Sequence, residues 1–271
     1  MPASKMNILQ VLPSLVSGGV EVGTIDIAQA IINEGHKAIV ISKGGPLVKK
    51  LEALGACHIA LPVHSKNPVI MWKNARTLKQ LLKEKRIDII HARSRAPAWS
   101  CYWATKGSYR KRFITSFHGA YGHHNKIKRW YNAIMLRSEK TIAVSNFIAR
   151  HIENIYPDNV KSIHTIPRGI DTNKYDPNQV SEIATQALRK AWSIPAGHTV
   201  IMLPGRITRL KGHMVLIEAI ASLNIDNYIC LFVGDDSDKP LYREQLDRFI
   251  KHHELDNKVR FVGACQNMET A

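Results

Sequence analysis

Residues 199–221 read TVIMLPGRITRLKGHMVLIEAIA and carry the most informative pattern in the protein. An apolar run ends at Gly205, Arg206 follows at once, and Lys211 precedes a helix-forming segment. The glycine lets backbone approach an anion, the helix start offers free N–H groups, and the two cations supply charge. The segment therefore predicts a phosphate-binding strand–turn–helix. The simpler interpretation is a strand–turn–helix with ordinary surface cations.

Upstream of this segment, short apolar runs alternate with helical spacing of apolar residues. Such spacing covers residues 20–33, 71–85 and 146–156. The predicted strands are Met6–Leu12, Ala38–Ser42, His58–Val63, Ile87–His91, Phe113–Phe117, Lys140–Val144 and Ser162–Pro167. This alternation predicts a parallel sheet with helices on both faces.

A turn-rich stretch, GIDTNKYDPN at 169–178, interrupts the alternation, which then restarts. We therefore predict an α/β protein of two doubly wound, Rossmann-like domains, 1–178 and 179–271. The strands predicted for the second domain are Thr199–Leu203, Tyr228–Val233 and Val259–Val262. Because domains of this class usually have five or six strands, we expect the second domain to be incomplete.

The composition of the 271 residues favours anionic partners. Lys and Arg number 38 against 22 Asp and Glu, which gives a formal net charge of +16. The basic residues are dispersed and no nucleic-acid-binding motif is present, so nucleic acid is not expected as a partner. The cysteines are scattered without metal-ligand spacing (Cys57, Cys101, Cys230 and Cys265). With no signal-peptide or membrane-span pattern, these features predict a cytoplasmic protein.

Paired glycines mark the turn after the first predicted strand. Gly18 and Gly19 precede a helical segment and would allow a ligand to approach the carboxyl edge of the sheet closely. The alternative is that both serve only a tight turn. The loop does not match GxGxxG, so a nicotinamide cofactor is not predicted.

Two histidines are predicted at strand ends. His91 ends the fourth predicted strand and His118 follows the fifth, so both should project at the same edge. Neither has a metal-ligand partner at useful spacing, which favours hydrogen bonding over a metal site. Ser145 stands at a helix start, where capping is a sufficient role.

Two basic segments, 106–112 and 123–137, interleave cations with aromatic and apolar residues. The second could lie on an anionic membrane surface. It could equally be an amphipathic helix that packs against its own sheet.

Taken in order, seven motifs resemble the GT-B glycosyltransferases of family 4, the retaining group 1 family, over essentially the whole sequence. The similarity is greatest to bacterial enzymes that build lipopolysaccharide cores and other surface glycans. The motifs are SGGVE at 17–21, FHGAYG at 117–122, TIAVSNFI at 141–148, TIPRGIDTNKY at 165–175, PGRITRLKG at 204–212, LFVGDD at 231–236 and VRFVGA at 259–264.

The resemblance implies a nucleotide-sugar donor held mainly by the C-terminal domain. Arg206 and Lys211 would bind the donor diphosphate and neutralise the leaving group without a metal or cofactor. The main chain at Phe261, Val262 and Gly263 would line the nucleobase pocket.

The same resemblance assigns roles in the N-terminal domain. Gly18 and Gly19 would let this domain close on the donor phosphates, and His118 would hydrogen-bond the transferred sugar. It implies retaining transfer to a lipid-linked or lipopolysaccharide core acceptor at the inner face of the cytoplasmic membrane.

Two departures from the family pattern stand out. Arg168 occupies a position where asparagine is usual, in IPRGID. The family also carries two glutamates about two helical turns apart, and no glutamate here has a partner eight positions on. We expect that pair beyond Ala271, so the sequence would be C-terminally truncated and its missing half could be encoded separately. The alternatives are an inactive remnant that binds nucleotide or membrane only, and a nucleotide-sugar 2-epimerase.

Overall fold

The computed structural model describes residues 5–159, 162–223, 225–236, 240–265 and 267–271. The protein divides into two compact units, Met1–Gly169 and Ile170–Ala271. The boundary predicted at residue 178 lies inside the second unit.

The described part of the first unit contains seven strands in one parallel sheet. They are β1 (Asn7–Val11), β2 (Lys37–Ser42), β3 (Cys57–Ala60), β4 (Ile89–Ala92), β5 (Phe113–Phe117), β6 (Lys140–Ala143) and β7 (Ile163–Thr165). The sheet order is β3-β2-β1-β4-β5-β6-β7. The order reverses between β1 and β4, which creates a switch point at their carboxyl ends.

Helices cover both faces of this sheet. They are α1 (Gly19–Asn33), α2 (Val48–Ala53), α3 (Pro68–Glu84), α4 (Arg95–Ala104), α5 (Lys126–Asn132) and α6 (Asn146–Ile155). Alternate residues of a strand point to opposite faces, so Ile39 and Ile41 of β2 join one apolar cluster while Ala38 and Val40 join the other. The short helices α2 and α4 were not predicted from the sequence.

The second unit repeats the pattern on a smaller scale. Its described elements are α7 (Glu182–Ala191), β8 (Thr199–Pro204), α8 (His213–Ala221), β9 (Tyr228–Val233), α9 (Pro240–His252) and β10 (Val259–Gly263). They form a parallel sheet of order β10-β9-β8, with the fully buried β9 at its centre. The predicted α/β class, with two doubly wound units of which the second is small, is confirmed.

Helix α8 begins at His213, after a short turn. Arg209–Lys211 form a 3-10 turn, and Gly212 adopts a left-handed conformation (φ 77°) that ends the turn before the helix starts. Among the described residues, no helix is long and apolar enough to cross a membrane.

Candidate functional site

A buried arginine occupies the switch point of the first unit. Arg93 directly follows β4 and is only 3% exposed. Its Nη1 donates to Oε1 of Gln10 on β1 (3.1 Å), and the Gln10 amide nitrogen donates to the Thr24 carbonyl on α1 (3.0 Å). Burial, followed by the nearby charge of Arg168, lowers the pKa of Arg93 to about 10. Arg93 therefore stays protonated at neutral pH.

A second guanidinium lies against the first turn of α1. Gly18 has φ 124°, and a Cβ built on Gly19 would lie 2.5 Å from Nη1 of Arg168. A Cβ on Gly23, one turn further along α1, would lie 3.4 Å from Nη2 of Arg93. Gly19 and Gly23 thus give the two guanidinium groups close access to the α1 backbone.

His118 is joined to the same cluster. Nη2 of Arg168 lies 3.2 Å from Nδ1 of His118. Because arginine can only donate, Nδ1 must be the acceptor, which leaves the proton of the neutral ring on Nε2. That Nε2 is enclosed and has no hydrogen-bond partner among the described residues. Burial, then the charges of Arg93 and Arg168, lowers the pKa of His118 to about 3.

His91 differs from its predicted position. Strand β4 continues to Ala92, so His91 lies within the strand and not at its end. Its Nε2 is 2.7 Å from Oγ of Ser116 on β5, and the side chain is buried. Burial lowers the pKa of His91 well below its ordinary value, with smaller effects from Arg93 and His118. His91 thus forms a neutral link between two strands behind the site.

In the second unit, two glycines bring two strand-end loops into direct contact. Gly205 has φ 143°, and its N–H donates to the Val233 carbonyl (2.8 Å). A Cβ on Gly234 would overlap the Gly205 carbonyl oxygen. The aliphatic part of Lys211 lies over Gly205, with Cε 3.1 Å from the position of a Cβ. Arg206 and Lys211 are both exposed beside this loop and precede α8.

Strand β10 is irregular at the residues that were predicted to line the nucleobase pocket. The pairing of β10 with β9 shifts register between Phe261 and Gly263, and Gly263 has φ 72°. Such a bulge leaves the extra residue, Val262, out of register with β9. The side chain of Phe261 packs on Phe232 at a ring-centroid distance of 5.1 Å.

Arg243 also lies in this region, and no pattern in the sequence predicted its position there. Its guanidinium lies 3.4 Å from the centroid of the Phe261 ring. Asp236 and Asp247 hold it in place, at 2.7 and 3.1 Å. Only the fold brings α9 to this face of β10, and Arg93 is a similar case in the first unit.

The second basic segment is divided between core and surface. Ile134, Met135 and Leu136 are buried in the core of the first unit. Ile127 and Trp130 on α5 are 77% and 57% exposed.

Ser145 caps helix α6, as the sequence predicts. Its Oγ accepts a hydrogen bond from the Ile148 N–H (3.2 Å). In the part of the protein that the structure describes, no group of three or more His, Cys, Asp or Glu side chains could hold a metal ion.

Two protein families match the sequence. The family described as Glycosyltransferase Family 4 matches residues 17–174, and that described as Glycosyl transferases group 1 matches residues 184–270. A solved glycosyltransferase from Rickettsia africae ESF-5 is 39% identical, with a TM-score of 0.85, over 98% of this chain and 70% of that one.

More distant proteins are also similar to this chain. The Anabaena protein Alr3699/HepE, solved with UDP and glucose, is 21% identical, with a TM-score of 0.80, over 98% of this chain and 71% of that one. Spore coat protein SA of Bacillus subtilis (strain 168) is 22% identical over 94% of this chain. This chain spans 64% of the length of that spore coat protein.

Proposed function

The protein belongs to the group 1 glycosyltransferases of family 4, and on that premise we propose that it transfers a sugar from a nucleotide-sugar donor to a glycan acceptor. One observation carries the proposal. Arg206 directly follows the positive-φ Gly205 at the carboxyl end of β8, and Lys211, just before α8, lies over the same glycine. Exposed cations beside an open backbone suit a diphosphate, and the Anabaena protein of the same fold was solved with UDP.

In the proposed reaction, Arg206 and Lys211 neutralise the diphosphate as the glycosidic bond breaks, and no metal is required. The displaced backbone at Phe261, Val262 and Gly263 supplies polar groups for the nucleobase. Transfer retains the anomeric configuration, as the motif resemblance implies.

The first unit serves the acceptor and the transferred sugar. Gly18 and Gly19 approach the donor phosphates, and His118 stands near the sugar. The neutral His118 ring suits hydrogen bonding and not proton uptake at neutral pH, because its pKa is about 3. The acceptor that we propose is a lipid-linked or lipopolysaccharide core glycan, and this assignment rests on the motif resemblance.

The test is release of nucleoside diphosphate from UDP-, GDP- and ADP-sugars by the purified protein, with and without a lipid-linked acceptor. We expect acceptor-dependent release with one donor, and loss of release in Arg206→Ala. Arg248→Ala is the matched control, since Arg248 is an exposed cation on α9. Binding without turnover would favour the inactive-remnant alternative, and acceptor-independent release of an epimerised sugar would favour a 2-epimerase.

We also propose peripheral association with an anionic membrane surface. Ile127 and Trp130 project from α5 among Lys126, Lys128 and Arg129, a combination typical of interfacial helices. The buried segment at 134–136 takes no part. The protein should sediment with vesicles that contain phosphatidylglycerol and not with neutral vesicles. A Trp130→Ala variant that sediments equally well would contradict the assignment to α5.

A further inference from the structure

The guanidinium groups of Arg93 and Arg168 form a cation cluster in the first unit. Among the described residues, neither Arg93 nor Arg168 forms an ion pair within 4.0 Å. Arg93 is 3% exposed, and its Nε is enclosed without a hydrogen-bond partner in that part of the structure. Glu21 and Asp26 on α1 act on Arg93 only at longer range. Burial of a guanidinium costs several kcal/mol unless its hydrogen bonds and charge are matched.

Both guanidinium groups of this cluster can only donate hydrogen bonds. Arg168 can only donate, and its side chain donates to Nδ1 of His118. Glu21, in the first turn of α1, places a carboxylate beside Gly18, with Oε2 2.8 Å from the position of a Cβ there. The only side-chain oxygen of Gln10 already accepts a hydrogen bond from Nη1 of Arg93. The cluster therefore suits a ligand that only accepts hydrogen bonds and carries negative charge.

We propose that Arg168 and Arg93 bind an anionic group of the acceptor, a phosphate or a carboxylate. The assignment of this anion to an acceptor rests on the proposed function, but the anion site itself does not.

The position of the cluster favours the acceptor over the donor. Arg93 lies at the switch point of the first unit's own sheet, where a ligand of that unit would bind. The second unit has its own exposed pair, Arg206 and Lys211, for the donor diphosphate.

The experiment titrates inorganic phosphate, acetate and UDP separately into the protein, by calorimetry and by NMR of the histidine ring signals. Phosphate binding should shift the His118 ring signals, because Arg168 contacts Nδ1. In Arg168→Asn, phosphate affinity should fall about tenfold or more. Arg150→Gln, an exposed cation on α6 of the same unit, should bind phosphate as the unaltered protein does.

Two further variants separate the sites. Arg206→Ala should keep the phosphate-dependent shift of His118 and lose UDP affinity, whereas Arg168→Asn should keep UDP affinity. Arg93→Gln should weaken phosphate binding as Arg168→Asn does. If circular dichroism shows that Arg93→Gln is not folded, Arg168→Asn still tests the anion site, because Arg168 is exposed and its replacement should not disturb the fold. If acetate also binds, and Arg168→Asn and Arg93→Gln weaken its binding as they weaken that of phosphate, the anionic group is a carboxylate. If phosphate binds and acetate does not, the group is a phosphate.

Three results would overturn the inference. They are no binding of phosphate or acetate to the unaltered protein, unaltered binding in Arg168→Asn, and a loss of UDP affinity in Arg168→Asn as large as in Arg206→Ala. The last would assign the cluster to the donor. If no nucleotide-sugar is consumed but the phosphate results hold, the proposed function fails and the anion site stands.

Discussion

The two cation sites of the protein lie at equivalent places and are built in opposite ways. In each unit an arginine stands between a parallel strand and the next helix, Arg93 between β4 and α4 and Arg206 between β8 and α8. In the first unit, Arg93 is buried and held by the Gln10 amide. In the second unit, Arg206 and Lys211 are exposed, and only the backbone beneath them is tightly fitted.

This difference indicates two kinds of anion recognition. A buried guanidinium with fixed partners loses little conformational freedom on binding and accepts a narrow range of ligands. Exposed cations on a glycine loop lose more conformational entropy, but they can follow a phosphate group that departs during the reaction. The first site therefore fits selection of an acceptor, and the second fits a leaving group.

The largest expected effect comes from the backbone contact in the second unit. Gly234→Ala should lower the free energy of unfolding of that unit by about 3 kcal/mol, since its Cβ would overlap the Gly205 carbonyl oxygen. Gly119→Ala is the control, because a Cβ there has no neighbour within 4 Å. Urea unfolding followed by circular dichroism measures both. Equal stability of the two variants would show that the second site does not depend on this contact.

Loss of either exposed cation should have the next largest effect. Arg206→Ala or Lys211→Ala should weaken nucleoside diphosphate binding by about 2 kcal/mol, the value of a charged hydrogen bond, which is about a 30-fold change in Kd. Isothermal titration calorimetry measures the change, with Arg248→Ala as the exposed control on α9. Unchanged affinity in both variants would contradict the assignment of diphosphate binding to this loop.

The first unit should show the larger dependence of stability on pH. Folded His118 has a pKa of about 3 and the unfolded ring about 6.5, so only the unfolded state binds this proton between these values. The free energy of unfolding should therefore fall by about 1.4 kcal/mol per pH unit for this group as the pH drops below about 6.5. In His118→Gln, the slope of the free energy of unfolding against pH, between about pH 4 and pH 6, should be smaller by about 1.4 kcal/mol per pH unit, the contribution of one proton. An unchanged slope would contradict the buried, neutral state of the ring.

The two helix starts should show the smallest effects. Ser145→Ala removes the side-chain cap of α6 and should cost about 1 kcal/mol. Gly212→Ala forces a side chain into the left-handed conformation before α8 and should cost about the same. Thermal unfolding followed by circular dichroism measures both. Gly169→Ala is the control, since a Cβ there is unobstructed and the φ of Gly169 is not positive. If this control loses as much stability as Gly212→Ala, the left-handed conformation of Gly212 is contradicted.

The fold class and the positions of the strands along the sequence could be predicted, because apolar periodicity reports burial directly. The loops at Gly18 and Gly205 were also found, since glycine at a strand end has few structural explanations. The hydrogen bond between His118 and Arg168 spans 50 residues and had no local pattern. Arg93 and Arg243 were missed for the same reason, because their partners come together only through the parallel crossovers.

The most direct test of the division between the two sites is hydrogen–deuterium exchange of the protein in the presence of UDP, GDP and ADP in turn. With the nucleotide that binds, amides in Gly205–Gly212 and Val259–Gly263 should exchange more slowly, and this protection should vanish in Arg206→Ala. Binding without protection of either segment would contradict the assignment of the donor diphosphate and nucleobase to the second unit.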